Sequence, residues 1–122
     1  MNVLVTGGSR GIGKAIVDAF VAKGHSVYAP TRDRMDLSKP LQFLGNDPHI
    51  DIIVNNAGIN PLASIQDISD EEVMRVNYFS PLQIIQHCLP YMINQGYGRI
   101  VNIGSIWIDI AKPQRAAYSA SK

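Results

Sequence analysis

Val3-Leu4-Val5 is a short, unbroken apolar run that stops at Thr6-Gly7-Gly8, the pattern of a strand buried on both faces entering a tight turn. From Ile12 the spacing changes: Ile12, Ala15, Ile16, Ala19, Phe20 and Lys23 recur at intervals of three and four, and Gly24 closes the run. That pattern predicts an amphipathic helix with a glycine just past its end. Ser26-Val27-Tyr28-Ala29 predicts a second strand, stopped by Pro30, so a right-handed βαβ unit fills the first thirty residues. The stretch 31–50 is short and polar; Asp36-Leu37 predicts a minimal strand, and Lys39 to Leu44 one or two helical turns before Gly45. Asp51-Ile52-Ile53-Val54 predicts another strand, broken by Asn55-Asn56-Ala57-Gly58. A long helix is expected from Asp70 to Asn94, with Ser69 or Asp70 as its cap and Gly96 beyond its end. Its apolar positions include Val73, Val76, Leu82, Ile85, Leu89 and Met92. Arg99 to Gly104 predicts one more buried strand, and a further helix begins near Arg115.

Strands and helices that alternate in this way predict an α/β fold, a doubly wound parallel sheet in three α/β/α layers. Ligands in such sheets bind beyond the carboxyl ends of the strands, near the point where the strand order reverses. Each predicted strand here ends in a glycine-rich or polar turn on that side.

Composition narrows the class. The chain has 122 residues, 46% hydrophobic and 17% charged, which suits one globular domain and is too apolar for disorder. A formal net charge of +1 gives no electrostatic footprint for nucleic acid or an anionic membrane. One cysteine, Cys88, excludes an internal disulfide, and its place on the long helix predicts a small core residue. His25, His49 and His87 share no metal-ligand spacing, so no metal is expected. No apolar run is long enough to span a bilayer, and a strand at the first codons predicts that no signal peptide precedes it. The expectation is a soluble, cytoplasmic domain without nucleic-acid or membrane partners.

Two stretches carry candidate chemistry. In Thr6-Gly7-Gly8-Ser9-Arg10-Gly11-Ile12-Gly13, small residues let the backbone approach a phosphate, and the helix that follows aims free N–H groups at it. A glycine-rich strand-to-helix turn with no ligand would give the same string. In Tyr118-Ser119-Ala120-Ser121-Lys122 a helix puts Tyr118 and Lys122 at i and i+4, on one face. An ammonium beside a phenol favours the phenolate and makes a usable proton donor or acceptor. Ser105 ends the last strand thirteen residues earlier, where the same side of the sheet can hold both hydroxyls.

Thr6-Gly-x-x-x-Gly11-x-Gly13, Asn55-Asn56-Ala57-Gly58, Asn77, Ser105 and Tyr118-x-x-x-Lys122 stand in the order and spacing of the short-chain dehydrogenase/reductase family. The resemblance covers the whole chain. It implies a Rossmann-type fold, incomplete at its C-terminal edge, and a nicotinamide coenzyme. Gly7, Ser9, Arg10, Gly11, Ile12 and Gly13 match the coenzyme-binding turn; Asn55, Ala57 and Gly58 match the motif that steadies the sheet and borders the coenzyme. Asn77, Ser105, Tyr118 and Lys122 match the catalytic tetrad. In that scheme Tyr118 exchanges a proton with the substrate oxygen, Ser105 holds that oxygen, and Lys122 binds the nicotinamide ribose. The resemblance also implies a small carbonyl or alcohol substrate and a homo-oligomer.

Asn77 has a separate physical argument. Pro81, four residues on, has no N–H for the carbonyl of residue 77, which is therefore left free where the helix is expected to kink. Coenzyme choice falls at the end of the second strand. Thr31 is neutral where NAD enzymes place an acid, and Arg32, with Arg10 in the glycine turn, suits capture of a 2′-phosphate. NADP(H) is expected over NAD, weakened by Asp33, which is able to neutralise either arginine. Asp36 and Leu37 match the adenine-contacting positions, although Asp36 equally suits a helix cap. Trp107, with Ile106 and Ile108, suggests a partly apolar substrate, and ordinary packing explains it as well.

Two features depart from the family pattern. Only eighteen residues, Asp33 to Ile50, join the end of the second strand to the fourth, which begins at Asp51, too few for the usual full helix. Nucleotide-sugar reductases of the extended branch have similarly short connections and form the alternative substrate class. Family members are also about twice this length, so a non-catalytic nucleotide-binding or dimerisation remnant is the rival of another kind. The chain as given is expected to be a poor catalyst and not to persist as a monomer, because the strand from Arg99 becomes an unpaired apolar edge.

Overall fold

A computed structural model of the chain describes residues 1–41, 49–110 and 112–122. Four parallel strands form one sheet: β1 (Asn2–Val5), β2 (Ser26–Tyr28), β3 (Ile52–Asn55) and β4 (Arg99–Asn102), in the spatial order β2-β1-β3-β4. Val3 pairs with Val27 on one side and Ile52 on the other, and Ile53 pairs with Ile100. The order reverses between β1 and β3, so the carboxyl ends of those two strands mark the expected binding crevice.

The alternation of side chains along the strands divides the core into two layers. On one face Val3, Val5, Ile52 and Val54 receive Ile16, Val17 and Phe20 of α1 (Gly11–Ala22). Gly24, at φ 79°, ends that helix, because left-handed backbone costs glycine little. Ile12, expected on the buried stripe, is 66% exposed; the helix tilts Ile16, Val17 and Phe20 onto the sheet instead. On the other face Leu4 and Ile53 pack with Val76, Ile84, Cys88 and Met92. Ile53 and Ile84 are fully buried, each worth about 1.5–3 kcal/mol of transfer free energy.

The long helix covering this second face is not uniformly α. It runs as α2 (Asp70–Met74), a π turn (Arg75–Phe79) and α3 (Ser80–Asn94). Ser69 precedes it without a side-chain cap bond. In the π turn the Ser80 N–H donates to the Arg75 carbonyl. In α geometry the Pro81 ring would collide with the carbonyl of residue 77; a wider turn relieves this, so the expected kink takes the form of a π turn. The extra residue also changes the phase of the helix. Asn77, Ser80, Ile84, Cys88 and Met92 face inward, whereas Leu82 and Leu89, expected in the core, lie at the surface.

Asp36-Leu37 is not a strand. The Asp36 carboxylate accepts the Ser38 N–H (3.0 Å) and hydroxyl (2.6 Å), closing a local turn that competes with extension. Leu37 is buried beneath it, its carbonyl accepting the Ser80 hydroxyl at 2.7 Å. Helical turns were also expected at Lys39 to Leu44. Lys39 lies in a bend and residues 40 and 41 are irregular; residues 42–44 lie outside the described residues. β4 ends two residues earlier than expected, and Ile100 and Val101 are 39% and 44% exposed on that sheet edge. Among the described residues no helix is long and apolar enough to cross a membrane, and no His/Cys/Asp/Glu group has the placement to hold a metal.

Candidate active site

The loops after β1 and β3 are tied together by one side chain pair. The Thr6 hydroxyl accepts the N–H groups of Asn56 and Ala57, each at 3.1 Å. In return the Asn56 amide donates to the carbonyls of Thr6 (3.0 Å) and Gly7 (3.1 Å). Gly7, at φ 65°, lies so close to the second loop that a Cβ there would sit 2.9 Å from Ala57 Cα. A Cβ on Gly13 would overlap the Gly7 carbonyl oxygen, so this glycine is what lets the start of α1 approach the turn. Gly11, at φ 56°, needs its conformation rather than its space. Asn56 was not among the expected site residues; the motif contained it, but only the cross-loop bonds distinguish its role from that of Asn55.

This crevice opens as a cleft of about 220 Å³. Gly7, Ser9, Thr31, Arg32, Asp36, Leu37, Ala57 and Gly58 line it, so eight of the thirteen expected coenzyme residues of the strand-end turns share one wall. Arg10, Gly11, Ile12, Gly13 and Asn55 do not line it. Pro30, Met35, Ser38, Ile59, Glu72 and Val76 complete the wall and carry no coenzyme signal in the sequence. The shortened connection therefore still supplies the far wall of the cleft. Arg32 Nε lies 3.5 Å from Asp36 Oδ1, and Lys39 Nζ 3.7 Å from Asp36 Oδ2. The Ser38 hydroxyl first, then its N–H and these two cations, hold the Asp36 carboxyl below the usual range. Asp33 is held low chiefly by a hydrogen bond from Thr31. The acid that faces Arg32 is thus Asp36, and the sequence-adjacent Asp33 is engaged elsewhere.

Behind the cleft, Asn77 is 8% exposed and joins three segments. Its Oδ1 accepts the Ile59 N–H, while Nδ2 donates to the Ile59 carbonyl and to the Ser121 hydroxyl, all at 2.9 Å. Ser121 lies in α4 (Ala116–Ser121), and its hydroxyl also donates to the Tyr118 carbonyl at 2.8 Å. α4 packs against α2 and the π turn. Lys122 follows, with its ammonium beside Gly58: a Cβ on that glycine would stand 3.7 Å from Nζ and 3.3 Å from Asn77 Oδ1. Asn77, Gly58, Ser121 and Lys122 therefore form one cluster, although up to 64 positions separate them in sequence.

Ser105 reaches the cluster less directly. It caps a 3₁₀ turn (Ile106–Ile108), accepting the Trp107 N–H at 3.2 Å, and that turn packs on α4, the helix that carries half-buried Tyr118. Among the described residues no hydrogen bond joins Tyr118 to Ser105 or to Lys122. Asn55 points elsewhere: its Nδ2 donates to Asn102 Oδ1 at 2.9 Å, and it lines a second cavity with Asn77 and Lys122. Its own Oδ1 is buried without a partner.

Comparison with known proteins follows the same lines. The family model described as short chain dehydrogenase matches residues 1–49 and 45–122. Its two stretches meet inside the shortened β2–β3 connection. Dehydrogenase/reductase SDR family member 7B of Danio rerio is 31% identical over an alignment covering 98% of this chain and 51% of that protein. The chain spans about half the length of the curated relatives it matches. Among solved structures, 4-hydroxyisoleucine dehydrogenase complexed with NADH superposes with a TM-score of 0.85 at 25% identity, covering 98% of this chain and 62% of that one. The closed form of serine dehydrogenase complexed with NADP+ gives 0.83 at 26%, covering 100% and 61%.

Proposed function

Because this chain belongs to the short-chain dehydrogenase family, we propose that it supplies the coenzyme and catalytic half-site of an oxidoreductase that interconverts a carbonyl and an alcohol with NADP(H). The observation that carries this reading is the Asn77 side chain, which binds the loop after β3 to α4 and so brings Lys122 beside Gly58, a residue of the cleft wall. The cleft fits a dinucleotide in two respects. Gly7 and Gly13 have no room for a side chain, which leaves the turn's backbone free to approach a pyrophosphate. Thr31 and Arg32 stand at the end of β2, where a neutral residue and a guanidinium accept a 2′-phosphate that an acid would repel. The Arg32–Asp36 pair tempers this, yet Arg32 remains 75% exposed and free to turn toward a dianion.

When bound, the nicotinamide supplies or accepts the hydride. The remaining roles fall to this chain. Tyr118 donates a proton to the carbonyl oxygen during reduction, Ser105 hydrogen-bonds the same oxygen, and Lys122 binds the nicotinamide ribose. Asn77 holds α4 in register with the cleft. Support comes from the solved structures with NADH and with NADP+ that share this fold.

The test is carbonyl reduction followed by NADPH absorbance in the full protein, comparing Tyr118→Phe with the parent. Loss of about 10²–10⁴-fold in turnover with coenzyme affinity nearly unchanged is the expected result. Coenzyme affinity falling in step with activity would overturn the role of Tyr118. NADPH binding without reduction of any carbonyl by the parent would replace the enzymatic reading with that of a nucleotide-binding module.

A further inference from the structure

Ser121 occupies a free position of the Tyr-x-x-x-Lys string, and the roles proposed above leave it unused. It is 6% exposed, on the last turn of α4 and immediately before Lys122. Its hydroxyl is engaged twice, accepting from Asn77 Nδ2 at 2.9 Å and donating to the Tyr118 carbonyl at 2.8 Å. A hydroxyl has one proton to give, so that proton goes to its own helix and a lone pair to the long helix. Asn77 is fixed in turn by two bonds to Ile59, a residue of the cleft wall. An unbroken line of hydrogen bonds therefore runs from the cleft wall through Asn77 and Ser121 to the backbone of Tyr118. The other serine of α4, Ser119, has no side-chain hydrogen bond among the described residues.

We propose that Ser121 is a positioning residue of the active site, whose hydroxyl seats the last turn of α4 against Asn77 and thereby places Tyr118 and Lys122 for the nicotinamide end of the coenzyme. The proposal rests on the reading of the chain as an NADP(H) oxidoreductase. A serine bonded to the carbonyl three residues before it holds that turn of backbone closed. The bond from Asn77 adds what the turn alone lacks, a fixed place relative to the long helix and the loop after β3. Both residues it acts on lie within this turn: Tyr118 through its carbonyl, and Lys122 as the chain neighbour whose ammonium stands beside Gly58. Ser121→Ala frees the turn yet leaves both Asn77 bonds to Ile59 in place, so the cleft wall keeps its clamp. The two ends of one coenzyme should therefore respond differently, which a general loosening of the fold does not produce.

The test titrates two probes into the full protein: NADPH, and 2′,5′-ADP, which keeps the adenine end and the 2′-phosphate but has no nicotinamide ribose. The quantity read is the ratio of the two affinities in one sample. An unfolded fraction removes sites from both probes alike and cancels. Ser121→Ala is expected to weaken NADPH roughly tenfold, the loss of one hydrogen bond to a charged group, and 2′,5′-ADP by less than about twofold. Asn77→Ala, which also releases the loop, should weaken both. Ser121→Thr keeps the hydroxyl and should keep the parent's ratio, as should Ser119→Ala on the same helix. An unchanged ratio in Ser121→Ala, equal weakening of both probes, or a ratio as low in Ser121→Thr as in Ser121→Ala would overturn the proposal. A parent that binds neither probe would refute the coenzyme reading and the proposal with it. The expected shift in a protein that reduces no carbonyl would instead refute the enzymatic reading and leave Ser121 as a positioning residue for the nicotinamide end.

Discussion

Removing the Asn77 side chain tests the arrangement more sharply than any other single change. Asn77→Ala deletes three hydrogen bonds of 2.9 Å each and leaves the Ile59 N–H, the Ile59 carbonyl and the Ser121 hydroxyl without that partner. A neutral intramolecular hydrogen bond contributes about 0.5–1.5 kcal/mol net, and a buried group left unpaired costs more. The two bonds to Ile59 are partly buried and the one to Ser121 fully so, which puts the total at roughly 3 kcal/mol. Ser121→Ala removes only the last of these bonds, with its own bond to the Tyr118 carbonyl, for about 1–2 kcal/mol. The two residues share one bond, so the double variant should cost less than the sum of the singles by about 0.5–1.5 kcal/mol. Urea unfolding of the full protein measures this through the midpoint, provided the slope is unchanged. Asn94→Ala, at the exposed end of α3, is the control for losing an asparagine from the same helix. A destabilisation no larger than the control's, or strictly additive singles, would refute the idea that Asn77 is the clamp between the β3 loop and α4. NADPH affinity should fall with stability in Asn77→Ala, because the loop it holds lines the cleft.

The glycine turn separates two requirements. Gly13→Ala should destabilise by about 1–3 kcal/mol and weaken coenzyme binding, since its Cβ overlaps the Gly7 carbonyl. Gly11→Ala, which has open space, should cost only the left-handed backbone penalty of about 1–2 kcal/mol; equal effects on binding would refute the distinction. NADPH should bind at least about tenfold more tightly than NADH, a preference that Arg32→Asp abolishes and Asp36→Asn strengthens by freeing Arg32. Unaltered preference in Arg32→Asp, measured by coenzyme titration, would remove Arg32 from the site. Asp51 is held below the usual carboxylate value of about 3.9, first by the Asn2 N–H at 2.7 Å and then by Gln95. Its stabilising contribution is therefore complete above that value and is lost as pH falls through the lower folded value. Asp51→Asn should flatten the acid limb of the stability profile below about pH 4, and an identical limb in parent and variant would refute this.

Much of this protein is legible along the chain because it is local. The apolar runs at Val3–Val5 and Ile52–Val54 are buried strands as their pattern predicts, and the 12–23 periodicity ending at Gly24 gives the extent of α1, whereas the run at Ile100–Val101 forms the strand but lies exposed at the sheet edge. The glycine turn, the asparagine turn and the Tyr118–Lys122 pair are likewise contiguous strings, so their order already indicated the family. Tertiary structure decided what depends on partners far away in sequence. Asn55 and Asn56 are the same residue type in the same turn, yet contact with Thr6 and Gly7, about fifty positions earlier, gives Asn56 the strap and sends Asn55 toward Asn102. The burial of Leu82 and Leu89 was misjudged because α-periodicity assumes one unbroken winding, and a π turn beside Pro81 shifts the phase beyond it. Asp36 closes a turn rather than a strand because its carboxylate finds Ser38 before any neighbouring strand is available to pair. The meeting of Lys112 and Arg115 on Trp107 has no periodicity at all; it exists because the 3₁₀ turn and α4 pack together. Periodicity records which face of an element is apolar, and hydrogen bonds across loops record which elements became neighbours; only the folded chain holds the second kind of information.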